Sequence, residues 1–331
     1  MSTANETRPQ DHHGDGGLWL SGNLVVHHAA SKFSDGKPHN IIAVDSYVGA
    51  KADEWSERRL AMGRANVFGL GHRIVQRDLG DVLNSYSANQ VDAVIHLAAY
   101  VGEPECDRVG KEETYRVNYQ LVEKLLDWCK RASRQPHLVF ASTCSNYGIV
   151  TPGTKATLET PLRPLGIYAE TKVAAEAMLW DSGYKRMTIA RLGTLMGYSP
   201  AMRYDLMVAE AGMCAARGLD FEVNDPDAWR PFTHVRDAAK ALGYHTQNAL
   251  RAEGLRVKAN LVGFNVQKRQ IGDLYERATG KRAKVNAMQK DKRNYAVEEQ
   301  TGRELGLKPW GTLEMAFREG YEYAKALAGK L

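Results

Sequence analysis

No segment of this 331-residue chain is long and apolar enough to cross a bilayer as a helix. Residues 1–13, MSTANETRPQDHH, lack the apolar core of a secretory leader. No membrane partner is therefore expected, residues 1–16 read as a disordered tail, and the expected location is cytoplasmic. Cysteine is scarce: Cys106, Cys129, Cys144 and Cys214 stand alone, without the CxxC spacing of a zinc knuckle or the pattern of a disulfide framework. Concentrated charge is absent as well. The net charge is only +5 and the lysines and arginines are spread along the chain, which speaks against a nucleic-acid partner and for small anionic molecules such as nucleotide diphosphates. There are no internal repeats and no low-complexity segments.

What is present is an ordinary globular composition, 44% hydrophobic, with room for one large α/β domain and a smaller appendage. Short apolar runs at 17–20, 40–45, 74–79, 91–99, 138–140 and 187–194 read as strands, with helical patterns between them; the charged stretch 51–65 is one such helix. The fifth run ends in Ala141-Ser142-Thr143-Cys144-Ser145-Asn146-Tyr147-Gly148, so hydroxyls crowd the carboxyl end of a buried strand. After a proline-containing loop comes Tyr168-Ala-Glu-Thr-Lys172, which opens a helix. Tyr168 and Lys172 lie one turn apart and share a face. An ammonium beside a phenol favours phenolate and lowers its pKa, and the Thr143 hydroxyl can share the proton. The set suits moving a proton on or off a sugar or alcohol oxygen.

Four motifs in order, Ala93-Val-Ile-His-Leu-Ala-Ala99, Ser142-Thr143 before Tyr147-Gly148, Tyr168-xxx-Lys172 and Arg230-Pro-Phe-Thr-His-Val-Arg-Asp237, resemble those of the extended short-chain dehydrogenase/reductase superfamily, the NAD-dependent nucleotide-sugar epimerases and dehydratases. The resemblance spans residues 18–325. It implies a Rossmann-like doubly wound parallel sheet over residues 17–195 and a smaller C-terminal α/β substrate-binding domain over 196–331, with about 232–250 returning to the first. It further implies Thr143, Tyr168 and Lys172 as the catalytic set, and a homodimer built on the helices near 115–132 and 168–182. Tyr100 and Glu103 would line the substrate mouth, with Asn118 supporting the backbone there. Arg230 would grip a nucleotide-sugar diphosphate, with Arg191, Arg203, Arg293 and Cys144 as further substrate contacts. Cys144-Ser145 stands where 4,6-dehydratases carry Asp-Glu, which disfavours a dehydratase.

One motif is degraded. The family's glycine loop, which lets the backbone close on the cofactor pyrophosphate, aligns with Gly22, Val25 and His28, so only its first glycine survives. Gly22, Asp45, Asp78 and Leu79 would contact NAD if NAD binds. Two enzymatic readings result. The favoured one is a non-redox pyranose/furanose mutase of an NDP-hexose, GDP-hexose first, similar to the flavin-independent, metal-dependent mutases of this fold. In it a divalent metal (Mg or Mn) neutralises the leaving pyrophosphate, and His27 and His28 are candidate ligands. The alternative is an NAD-dependent NDP-sugar 4-epimerase or reductase. A non-catalytic nucleotide-sugar sensor is third.

Overall fold

A computed structural model of the chain describes the strands Gly17–Ser21, Asn40–Val44 and Arg73–Val75, and residues 77–328 apart from 152, 200–201, 253 and 289–292. The expected tail at 1–16, the helix at 51–65 and the residues Gly22, His27, His28 and Asp45 lie outside the described residues.

The molecule is an α/β structure around a seven-stranded sheet. Numbered among the described residues, its strands are β1 (Gly17–Ser21), β2 (Asn40–Val44), β3 (Arg73–Val75), β4 (Val91–His96), β5 (His137–Thr143), β7 (Met187–Leu192) and β11 (Arg256–Leu261). They run in the order β11-β7-β5-β4-β1-β2-β3, and every pairing is parallel. Parallel strands are covered on both faces, and so β5 is buried at every position despite its hydroxyls and its histidine. The sequence pattern offers no strand at 256–261, because Arg256 and Lys258 break the apolar run; the structure places the sheet's edge there, where charged side chains are tolerated. Nor does the third strand extend to Leu79. It ends at Val75, and Asp78 instead caps helix α1 (Leu79–Ser85) by accepting the Gly80 N–H at 2.8 Å.

Helices cover both faces. On one, α4 (Leu121–Lys130) buries Leu121, Val122, Leu125, Leu126 and Cys129, a stripe at helical spacing, against Leu138, Phe140 and Ile189 of the sheet. Beside it lies α5 (Ile167–Asp181), whose Ala175 and Leu179 join the same core. On the other face, α7 (Val235–Arg251) packs Ala238, Ala241 and Leu242 against Ile95 and Val139. Beyond the sheet, strands β8 (Thr194–Met196), β10 (Trp229–His234) and β12 (Phe264–Gln267) form a three-stranded sheet near helices α6 (Met207–Arg217) and α10 (Leu313–Ala328). The last two cross closely at Gly212, where a Cβ would meet the Phe317 carbonyl oxygen and the Tyr321 nitrogen at 2.8 Å. None of the described helices is long and apolar enough to span a membrane.

Two imidazoles are sealed at the amino ends of the central strands. His137 Nε2 lies 2.9 Å from Thr188 Oγ1, which lies 2.6 Å from His245 Nε2. Burial, then the neighbouring His245 and Arg186, lowers the His137 pKa to about 3, and burial lowers that of His245 to about 4. Unfolded histidines take up protons below about pH 6.5, while these stay neutral in the fold, so the unfolded state binds more protons and stability falls as pH falls. The loss is at most about 1.4 kcal/mol per pH unit for each ring. The urea midpoint is therefore expected to drop between pH 7 and pH 5, and to drop less when both rings are replaced by glutamine; equal slopes would contradict this assignment.

Candidate active site

In open parallel sheets ligands sit outside the carboxyl ends of the strands, where the strand order reverses. Here that place is the end of β4 and β1, with β5 next to it. Thr143 is the last residue of β5 and accepts the Ser145 N–H at 3.1 Å, so the chain turns immediately and leaves the hydroxyl at the strand tip. Tyr168 and Thr143 line the same cavity at the tip of β5, where the Thr143 hydroxyl acts against the burial of the phenol. Lys172, one turn further along α5 and only 2% exposed, donates from Nζ to the Ala141 carbonyl at 2.9 Å and lies 4.8 Å from the centre of the Phe140 ring. Thus the helical spacing and the strand end bring Thr143, Tyr168 and Lys172 together. Thr143, Tyr168, Leu206 and Tyr295 wall a cavity of about 110 Å³.

The electrostatics differ from the sequence-based expectation. Burial pushes the Tyr168 phenol well above its ordinary value, opposed by the Thr143 hydroxyl and the Arg203 guanidinium. The ammonium expected to lower it faces the Ala141 carbonyl instead. Lys172 is itself lowered to about 8 by burial, a shift limited by the negative charge of Glu176.

Below this trio lies a polar network with a single carboxylate at its centre. Glu176 accepts from Ser142 Oγ, from Asn146 Nδ2 at 2.7 Å and from Arg191, whose Nη2 is at 2.7 Å and Nε at 3.1 Å. Arg191 Nη1 also donates to the Tyr147 hydroxyl at 2.9 Å, and that hydroxyl donates to Asn260 Oδ1 at 2.7 Å. Arg191 is therefore a buried structural cation, and the expectation that it contacts substrate is corrected. Cys144 lines the same cavity as Thr143 and Tyr168; it is 1% exposed, its thiol donates to the Arg191 carbonyl, and burial raises its pKa.

The remaining expected contacts divide. Tyr100 has its hydroxyl on Glu113 at 3.2 Å and its backbone on Asn118, which accepts the Tyr100 N–H at 2.8 Å and donates to the Tyr100 carbonyl at 3.0 Å. Asn118 sits in a π-helical turn, Arg116–Gln120, an irregularity that aims its side chain at the loop. Glu103, half-buried, accepts the Tyr168 and Ala169 N–H groups. Arg203 is held by Asp205 at 2.5 Å and by the Val101 carbonyl at 3.1 Å. Arg230 is buried on β10, donates to the Trp229 carbonyl at 2.8 Å and stands 5.5 Å from the Tyr295 ring. Arg293 is exposed. Tyr295, absent from the sequence-based set, is buried with its hydroxyl 3.3 Å from Ser145 Oγ. No periodic signal marks it. Glu176, also absent from that set, could have been found, since it follows Lys172 by one turn on the same helix face.

A model of the NAD dependent epimerase/dehydratase family matches residues 24–255. The chain belongs to that family. Similar proteins include a D-erythronate dehydrogenase of Cupriavidus necator, 33% identical over 129 residues, which are 37% of this chain and 39% of the relative. UDP-glucuronate 4-epimerase 3 of Arabidopsis thaliana is 26% identical over 289 residues, 79% of this chain and 65% of the relative. The chain thus spans less than two thirds of the length of these curated relatives. Among solved structures, a UDP-glucose-4-epimerase from Stenotrophomonas maltophila with bound NAD and formylated UDP-arabinopyranose superposes with a TM-score of 0.77 at 20% identity, covering 96% of this chain and all (100%) of the other. A UDP-glucuronic acid 4-epimerase from Bacillus cereus in complex with NAD gives 0.74 at 19% identity, covering 94% of this chain and 96% of the other. At these identities the likeness shows the family's fold alone.

NAD is the cofactor the family implies. The described part of the crevice fits it: an all-parallel sheet with its switch point beside the trio, and a buried Lys172 ammonium that has three N–H groups and gives one of them to the Ala141 carbonyl. For a metal, no group of three or more His, Cys, Asp or Glu side chains forms a cation site among the described residues, while His27 and His28 lie outside them.

Replacing Arg191 with methionine leaves the Glu176 carboxylate buried and uncompensated, so equilibrium unfolding in urea is expected to show a loss of about 3–5 kcal/mol. A loss below about 1 kcal/mol would mean that the pair is not the closed, dry network described.

Proposed function

We propose that the protein is an NAD-dependent nucleotide-sugar epimerase acting at the sugar 4-hydroxyl. The observation that carries this reading is the meeting of Thr143 and Tyr168 on the wall of one cavity at the tip of β5, with Lys172 one turn along the helix. Support comes from the family match and from the names of two relatives, a UDP-glucuronate 4-epimerase and a UDP-glucose-4-epimerase. The metal-assisted mutase, favoured on the sequence because of the degraded glycine loop, has no support among the described residues.

NAD, when bound, supplies a hydride acceptor and donor for the sugar carbon. Tyr168 is the group that takes the hydroxyl proton. Thr143, beside the phenol on the cavity wall, shares the proton in transit. Lys172, its ammonium on the Ala141 carbonyl one turn from the phenol, would hold a hydroxyl of the bound cofactor with its remaining N–H groups. Burial raises the cost of charge on Tyr168 when nothing balances it, which favours proton transfer only when a partner is in place and limits loss to water. Arg230, beside Tyr295 of the cavity wall, and Arg203 are the candidate holders of the diphosphate, to which the fork of a guanidinium is suited.

Three outcomes are expected. Acid-released nucleotide from the purified protein contains NAD, and UDP-glucuronate or UDP-glucose is epimerised at a rate unaffected by chelator; turnover that stops with chelator and revives with manganese, without NAD, would overturn the reading. Tyr168→Phe lowers kcat by about 100-fold or more with an unchanged circular dichroism spectrum, and full activity would relocate the site. Because burial lowers Lys172 to about 8, turnover is expected to fall as pH rises past about 8, when the ammonium is lost; a profile flat to pH 10 would contradict a role for the Lys172 ammonium in the site.

A further inference from the structure

We propose that Glu103 is a positioning residue for Tyr168, reaching across from the loop after β4 to cap the helix that carries the phenol. This rests on the reading of Tyr168 as the proton-transfer group. Helix α5 begins at Ile167, and its N-cap, Gly166, has no side chain to satisfy the first amides. A capping side chain normally accepts from the second or third helical N–H. Glu103 supplies both acceptors from 65 residues away in the chain: Oε2 takes the Tyr168 N–H at 3.1 Å and Oε1 the Ala169 N–H at 3.3 Å. The glycine and the carboxylate are complementary, since a Cβ on Gly166 would lie 2.3 Å from Glu103 Oε2. Any side chain at 166 would displace the cap.

The carbonyl of the same residue is fixed through the same loop. The Thr171 hydroxyl donates to the Tyr168 carbonyl at 2.9 Å and accepts from Asn118 Nδ2 at 3.3 Å, and Asn118 in turn holds both backbone groups of Tyr100. Tyr168 is therefore clamped at its N–H and its C=O by groups tied to residues 100–103. Between those ties, the Val101 carbonyl accepts from Arg203 Nη1 at 3.1 Å. Gly102, at φ 89°, lets the chain turn between the two contacts. The strap Tyr100–Glu103 thus joins a candidate diphosphate holder to the backbone of the phenol, and movement of Arg203 reaches Tyr168 through one residue, Gly102.

The test compares Glu103→Gln, which retains one amide acceptor, with Glu103→Ala, which retains none, and with Gly166→Ala, which displaces the carboxylate. Hydrogen–deuterium exchange of the peptide covering 166–172 reads the cap without any turnover. Exchange is expected to be about tenfold faster in Glu103→Ala and Gly166→Ala, and close to wild type in Glu103→Gln. In steady-state assays Glu103→Ala is expected to lose about 10–100-fold in kcat with KM within about twofold, whereas Glu103→Gln stays within about threefold of wild type. Unchanged exchange in Glu103→Ala would overturn the cap. Faster exchange with wild-type kcat, or a Glu103→Gln as impaired as Glu103→Ala, would overturn the positioning role. Absence of sugar turnover in the wild type would count against the proposed function, and the exchange data would still decide the cap.

Discussion

The Glu176 carboxylate, sealed between β5, α5 and β7, is the constraint on which the site depends. It receives hydrogen bonds from Ser142 and Asn146 at the end of one strand and from Arg191 on the next, while its own backbone belongs to the helix bearing Tyr168 and Lys172. A buried charge tolerates little displacement, because every lost hydrogen bond leaves a desolvated group unpaired. The strand tip and the helix therefore cannot slide independently. Thr143, one residue beyond Ser142, and Lys172, one turn before Glu176, inherit that fixed relation.

The same carboxylate acts on the chemistry at a distance. Its charge resists the desolvation that lowers Lys172 and so keeps an ammonium available near neutral pH. Tyr168 is pulled both ways: burial favours the phenol, while Thr143 and Arg203 favour the phenolate. Burial dominates, so the proton stays on the phenol unless a further group offsets the desolvation. The cavity is small in this structure, and Tyr295, its ring near Arg230 and its hydroxyl near Ser145, forms one wall. Whatever contacts Arg230 also touches the environment of the phenol.

Much of this was legible in the sequence and some of it was not, for definable reasons. Strand runs and the four-residue spacing of Tyr168 and Lys172 follow from local periodicity, and the doubly wound sheet and the meeting of Thr143, Tyr168 and Lys172 could be anticipated. Roles that depend on distant partners could not. Arg191 reads as a clamp until Glu176 is seen to occupy it, and Glu103 reads as a mouth residue until Gly166 is seen to lack a cap. Tyr295 arrives from a loop with no pattern of its own. The preference for a metal came from Val25 and His28, which lie outside the described residues, so the loop that shaped it adds nothing to the geometry.

The central claim is that the trio serves hydride chemistry at a sugar carbon. Its most direct test is the kinetic isotope effect on turnover of a UDP-hexose carrying deuterium at carbon 4. A slower reaction with the deuterated sugar and inverted configuration at that carbon is the predicted result. Equal rates for the two sugars, together with a product whose ring size has changed and whose carbon 4 has not, would contradict it.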